Sequence, residues 1–277
     1  MTEKKGVSPE AIINEYDRMT MDDEFTFGCD AGLDCFTHCC ADVSIVLTPY
    51  DVLRMKKTLK ISSGEFLEKY TITGVTGEKH IPILLLKMDP ETKKCLFLTE
   101  KGCGIYGSRP WACRMYPLGK AEPQKPTPEN RGFYFLLKED LCHGHGTGRQ
   151  ITVREWIKDQ GIEVYDMMGE SFKELMLHEG WNDDKPLTDK KRDMYLMACF
   201  DIDCFRRFVF ESNFLNYFMV DEYRVEVMRT DDEELLKFAM QWLRFSLFGD
   251  KTMKVNPSVV EARAKKAAGG DHQPCNT

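Results

Sequence analysis

Eight of the chain's eleven cysteines lie between residues 29 and 142 of 277. They occur as Cys29-x5-Cys35-x3-Cys39-Cys40, then Cys95-x7-Cys103-x9-Cys113, then Cys142 in LCHGHGTG. Thiols packed singly as small apolar residues would be scattered, and these are bunched in turn-like sequence. Clustered cysteines in a reducing compartment point to metal binding or redox chemistry. Disulfides are the competing reading, but cysteine makes up about 4% of the chain, short of the ~8–10% of a secreted disulfide scaffold. A thiolate site needs soft ligands converging from turns. Adjacent residues have poor geometry for one tetrahedral ion, so Cys39 and Cys40 are expected to take different roles or different metals. Eight thiolates complete two four-thiolate sites, or one site with the remainder structural.

All-cysteine zinc sites usually come as paired C-x2-C knuckles, and this chain has none. Wide spacing with aromatics between the ligands suits an iron–sulfur cluster in an apolar shell. One 4Fe-4S cluster, with room for a second, is therefore the expectation, and zinc is the alternative. Arg109, Arg114 and Arg131 are candidate donors to the cluster sulfurs, with surface salt bridges as the alternative. His38, His143 and His145 stand next to cysteines and are further ligand candidates for zinc.

These residues carry a resemblance. Cys39-Cys40, Leu47-Thr48-Pro49-Tyr50-Asp51, Cys95-Leu96-Phe97-Leu98, Cys103-Gly104-Ile105-Tyr106, Arg109-Pro110, Cys113-Arg114-Met115-Tyr116-Pro117 and Cys142 together resemble the YkgJ-type cysteine-cluster family. That is a zinc- or iron-chelating domain also found in flagellin lysine N-methylases. The match runs over about residues 25–150. The family's opening group is tighter, nearer C-x3-C-x2-CC, and the departure bears on Cys29. The resemblance implies bound metal and, through the methylase relatives, an iron–sulfur cluster. It also raises a protein lysine methyltransferase as an alternative, and it places the helical half as an extension carried by some bacterial members.

The elements that must position these ligands can be read in outline. Thr48-Pro49-Tyr50-Asp51 starts a helix to about Leu59, with a capping Thr, Pro at N1 and an acid at N3. Ser62-Ser63-Gly64-Glu65 caps a second helix to Tyr70. Ser8-Pro9-Glu10 opens another towards Met19. Ile81–Met88 and Arg131–Lys138 read as strands, joined by a proline-rich loop over 122–129. Thr152-Val153-Arg154-Glu155 is a capping box. Helical patterning then covers Tyr165–His178, Asp189–Glu211 as one stretch, and Asp231–Leu247. The expected fold is α+β: residues 1–150 form a small, irregular cysteine-rich region organised by metal, packed on a helical region over 151–255. A loose tail follows over 256–277.

The remaining features have plainer readings. Gly144-His145-Gly146-Thr147-Gly148 resembles a phosphate or adenosyl-methionine loop but does not follow a buried strand, so it is read as a flexible loop letting Cys142 reach the metal. Cys199 and Cys204 lie on helical sequence and read as core, and Cys275 in the tail as incidental. The formal charge of −7 argues against nucleic acid, whose phosphates need a basic face. No run approaches ~18 apolar residues, and the N-terminus lacks a signal-peptide pattern, so the chain is expected to be cytoplasmic. A non-enzymatic role in electron transfer, redox sensing or as an accessory subunit is expected, with a redox protein or larger complex as partner.

Overall fold

The computed structural model describes residues 15–77, 80–123, 125, 127, 129, 132–181 and 186–259. The predicted helix before Met19 therefore falls largely outside the described residues, as do Arg131, Cys275 and the tail beyond 259. The architecture is α+β, with short antiparallel strands in small sheets and helices filling the C-terminal half.

Strand β1 (Glu24–Phe27) pairs with β9 (Arg149–Thr152), Phe25 opposite Ile151. A three-stranded sheet has the order β2 (Val46–Leu47), β4 (Pro82–Leu86), β3 (Thr71–Val75). Two hairpins follow: β5 (Leu98–Thr99) with β6 (Gly102–Cys103), and β7 (Leu118–Ala121) with β8 (Phe133–Leu136). Both predicted strands are present, as β4 and β8, and their alternation explains them: Leu84 and Leu86 are buried while Ile83 and Leu85 are half-buried.

Helix α1 (Pro49–Leu59) begins at a complete capping box: the Thr48 side chain accepts from the Asp51 N–H, and Asp51 accepts from the Thr48 N–H. Helix α2 (Ser63–Tyr70) is capped by Ser62. The five-residue α3 (Trp111–Met115) carries Cys113. Helix α4 (Val153–Asp159) starts at the Thr152–Glu155 box, and α5 (Ile162–Met176) follows directly. Next come α6 (Asp189–Phe200), α7 (Ile202–Glu211), the short α8 (Phe214–Tyr217), α9 (Glu222–Thr230) and α10 (Asp232–Phe248).

The single helix expected over 189–211 is broken at Asp201. Its carboxylate caps α7 by accepting from the Cys204 N–H and also accepts from the Ser63 hydroxyl at 2.5 Å. Asp203 accepts from the Ser63 N–H at 2.7 Å and from Lys56 Nζ at 2.6 Å. The turn thus exchanges one helical continuation for a polar joint that pins α7 to α1 and α2.

The large core runs across residue 150, uniting Leu47, Leu53, Met55 and Phe66 with Leu175, Tyr195, Phe205 and the buried face of α10. A second, smaller core holds Phe25, Phe27, Met115, Leu118, Ile151, Val153, Ile157 and Ile162. Cys199 is buried in the large core, as its helical setting predicts. Among the described residues, no helix is long and apolar enough to cross a membrane.

Candidate metal centre

Between Phe27 and Leu47 the only buried residue is Cys35. The backbone there winds through successive turns, with Leu33 donating to Asp30, Phe36 to Leu33, His38 to Cys35 and Cys40 to Thr37. Such a segment has almost no apolar core of its own. Side-chain chemistry, rather than burial, must hold it in place.

These turns bring Cys29, Cys35 and Cys39 to one recess, where Cys142 joins them from the loop after β8. Phe27, Leu33, Leu141 and Tyr116 supply the apolar wall. The loop of Cys142 is tied to the end of β1: Gly28 donates to the Gly144 carbonyl at 3.1 Å, and Phe27 bridges His145. Gly148, at φ 77°, lies so close that a Cβ there would sit 2.8 Å from the Gly28 Cα. Gly144 and Gly148 thus pack closely against the Phe27–Gly28 backbone, where a phosphate loop would present open N–H groups.

The other four thiols form a second group. Cys95 donates its N–H to the Cys40 carbonyl at 2.7 Å. Cys103 sits opposite Leu98 in the β5–β6 hairpin, and Cys113 projects from α3. Cys95 and Cys103 pack against the large core, whereas Cys142 packs against the small one. The electrostatics divide the thiols in the same way. Burial first, and then the charges of Cys39, Cys142 and Cys35, push Cys29 up to about 11. Burial first, and then Cys95, Asp51 and Cys103, push Cys113 up to about 12, with Arg109 opposing. Burial likewise raises Cys95. At the seam, the Cys40 thiol donates to Cys39, holding Cys39 down to about 7 and raising Cys40. In each group burial and neighbouring sulfurs thus disfavour the thiolate at Cys29 and at Cys113, a balance that a bound cation reverses.

Supporting residues hold the short Cys113 helix. Asp51 is fully buried, and besides capping α1 it accepts from the Trp111 N–H at 2.8 Å. Burial pushes its carboxyl up to about 6 against the hydrogen bonds from Thr48 and Trp111. Arg114 donates to the carbonyls of Arg109 (3.0 Å), Gly107 (2.6 Å) and Gln160 (2.6 Å), and its guanidinium lies 4.5 Å from the centroid of the Tyr165 ring. Arg109 bonds the Gln160 side chain and the Tyr106 carbonyl, lies over the Tyr106 ring and lowers the pKa of Cys113. Of the two described arginines expected to serve the sulfurs, Arg109 thus acts through its charge, while the hydrogen bonds of Arg114 fasten backbone.

The buried Tyr116 hydroxyl has no hydrogen-bond partner, and burial first, then the neighbouring Cys142 thiol, raise the phenol's pKa. Tyr116 belongs to the Cys113-Arg114-Met115-Tyr116-Pro117 motif, and its place three residues after Cys113 is the one signal in the sequence that it neighbours the cysteines. Of the histidines, His38 is exposed and His145 bonds the Leu137 carbonyl. His143 pairs with Asp34 at 2.7 Å and donates its backbone N–H to Cys35 Sγ at 3.2 Å. Among the described residues, Asp34, Cys35 and His143 are the one set of three or more donor atoms all within 4.8 Å of one another.

Eight clustered cysteines carried on turns, a hairpin and a short helix, four of them in an apolar recess, give the character of a metal-binding protein. Residues 28–143 match the family model CxxCxxCC, described as "Putative zinc- or iron-chelating domain". The matched segment coincides with the cysteine cluster and its motifs, and is similar to that family over those residues. No curated protein and no solved structure matches the chain.

Proposed function

We propose that this chain is a cysteine-ligated iron–sulfur protein of the cytoplasm, working without catalysis of its own to carry or sense electrons for a larger redox partner. The observation that carries the reading is the recess in which Cys29, Cys35, Cys39 and Cys142 come together behind an apolar wall of Phe27, Leu33, Leu141 and Tyr116. Four thiolates in an apolar shell, with no paired C-x2-C knuckles in the chain, suit an iron–sulfur cluster better than an all-cysteine zinc site. When bound, the cluster would supply one-electron chemistry. The cysteines would hold it, Tyr116 would donate to the Cys142 sulfur, and Arg109 would offset negative charge near Cys113.

Zinc is the second reading, favoured by the mixed Asp34, Cys35 and His143 set, which offers the oxygen, sulfur and nitrogen donors that zinc accepts. The experiment is elemental analysis with a visible spectrum on protein purified without oxygen. Equal iron and acid-labile sulfide, with a broad visible band that bleaches on reduction, is expected. Colourless protein containing zinc alone would overturn the cluster.

A further inference from the structure

We propose that the eight cysteines build two metal centres joined by the Cys39–Cys40 peptide, an outer one of Cys29, Cys35, Cys39 and Cys142 and an inner one of Cys40, Cys95, Cys103 and Cys113, with the outer the more labile. The inference rests on the reading that the chain binds metal through its thiolates, and it holds for iron or zinc.

Three observations carry it. The four outer cysteines line a single recess together, and none of the inner four lines it. The junction is a 3-10 turn spanning His38–Cys40. With three residues per turn, successive Cα–Cβ directions diverge by about 120°, and although the two thiols touch, Cys39 lines the outer recess whereas Cys40 does not and is tied by its carbonyl to Cys95. Finally, the groups rest on different cores: Cys142 packs with the small one, while Cys95 and Cys103 pack with the large one. Each centre therefore has its own scaffold, and the only covalent link shorter than a loop is one peptide bond.

The difference in lability follows from the scaffolds. The outer centre includes the exposed Cys29, and three of its ligands hang on the segment that has no core of its own. The inner ligands come from a hairpin, from α3 held by Asp51 and Arg114, and from a backbone bond between Cys95 and Cys40. A chelator should strip the outer metal first, and electrons from a partner should reach the outer centre before crossing the shared peptide.

The test uses the full chain, loaded as isolated. Native mass spectrometry should count two metal centres, and an excess of chelator should release metal in two phases of equal amplitude. Cys142→Ser should abolish the fast phase, leaving about half the metal. Cys103→Ser should remove the slow one. If the protein carries clusters, partial reduction should give an electron paramagnetic resonance spectrum broadened by a second spin, a readout that needs no variant to fold. A single centre per chain, released in one phase with an unbroadened signal, would overturn the inference and leave the iron–sulfur reading standing. Two zinc ions released in two phases would support the inference and overturn the cluster.

Discussion

Replacing Asp51 by asparagine isolates one buried carboxylate that links the start of α1 to the helix carrying Cys113. One oxygen accepts from the Thr48 N–H and hydroxyl, both at 2.8 Å, and the other accepts from the Trp111 N–H at 2.8 Å. An amide keeps a single acceptor. If that oxygen stays on Trp111, the new NH2 faces the Thr48 N–H, which then lacks a partner at a cost of about 1–3 kcal/mol. Against this, burial pushes the native carboxyl up from 3.8 to about 6, which at about 1.4 kcal/mol per pKa unit means about 3 kcal/mol lost by keeping it charged at neutral pH. The two effects nearly offset near pH 7.5. The sign of the pH dependence is the sharper result. Because the folded pKa is raised, the folded wild type takes up its proton first as pH falls, and this carboxyl favours folding more at pH 5 than at pH 7.5. Asparagine cannot follow, so D51N should lose roughly 1 kcal/mol more, relative to wild type, at pH 5 than at pH 7.5. Chemical denaturation of both metal-loaded proteins at the two pH values measures this, since all other titrations cancel in the comparison. An equal difference at both values, or a larger one at pH 7.5, would show that Asp51 is charged throughout and refute the account of its burial.

Tyr116→Phe should retain metal but remove the buried, unpartnered hydroxyl proposed to donate to Cys142 once a cluster is bound; a bond of about 1 kcal/mol corresponds to about 40 mV for one electron, so the midpoint potential should fall by that order in a redox titration. Gly148→Ala places a Cβ against the Gly28 backbone at a positive φ, and it should weaken the outer thiol group, read as faster metal loss to a chelator with little change in the far-ultraviolet circular dichroism. Asp203→Ala strands Lys56, which is 7% exposed, and should cost about 3 kcal/mol in denaturant unfolding. Because Asp203's pKa is lowered from 3.8, the stability that it contributes is present above pH 3.8 and disappears as pH falls through its folded value, so wild type and variant should converge in strong acid.

The sequence by itself determined what is local. Thr48 and Thr152 announce their helices because a capping box closes within four residues, and β4 and α10 announce themselves by an apolar pattern several residues long. The bunching of the cysteines in turn-rich sequence likewise implies metal without any knowledge of the fold. The tertiary structure decided which distant groups meet. The β1–β9 pair joins segments more than a hundred residues apart, each only four residues long, too short for periodicity to reveal. Helical pattern runs straight through Asp201, because the break depends on Ser63 from another helix. Asp51 reads as a cap, yet its second hydrogen bond reaches Trp111, sixty residues on. Arg114 reads as a donor to sulfur, but three backbone carbonyls reach it first. Spacing likewise leaves open which thiols meet: Cys142 reaches the recess of Cys29, Cys35 and Cys39 because its loop is tied to the end of β1, a contact between segments more than a hundred residues apart.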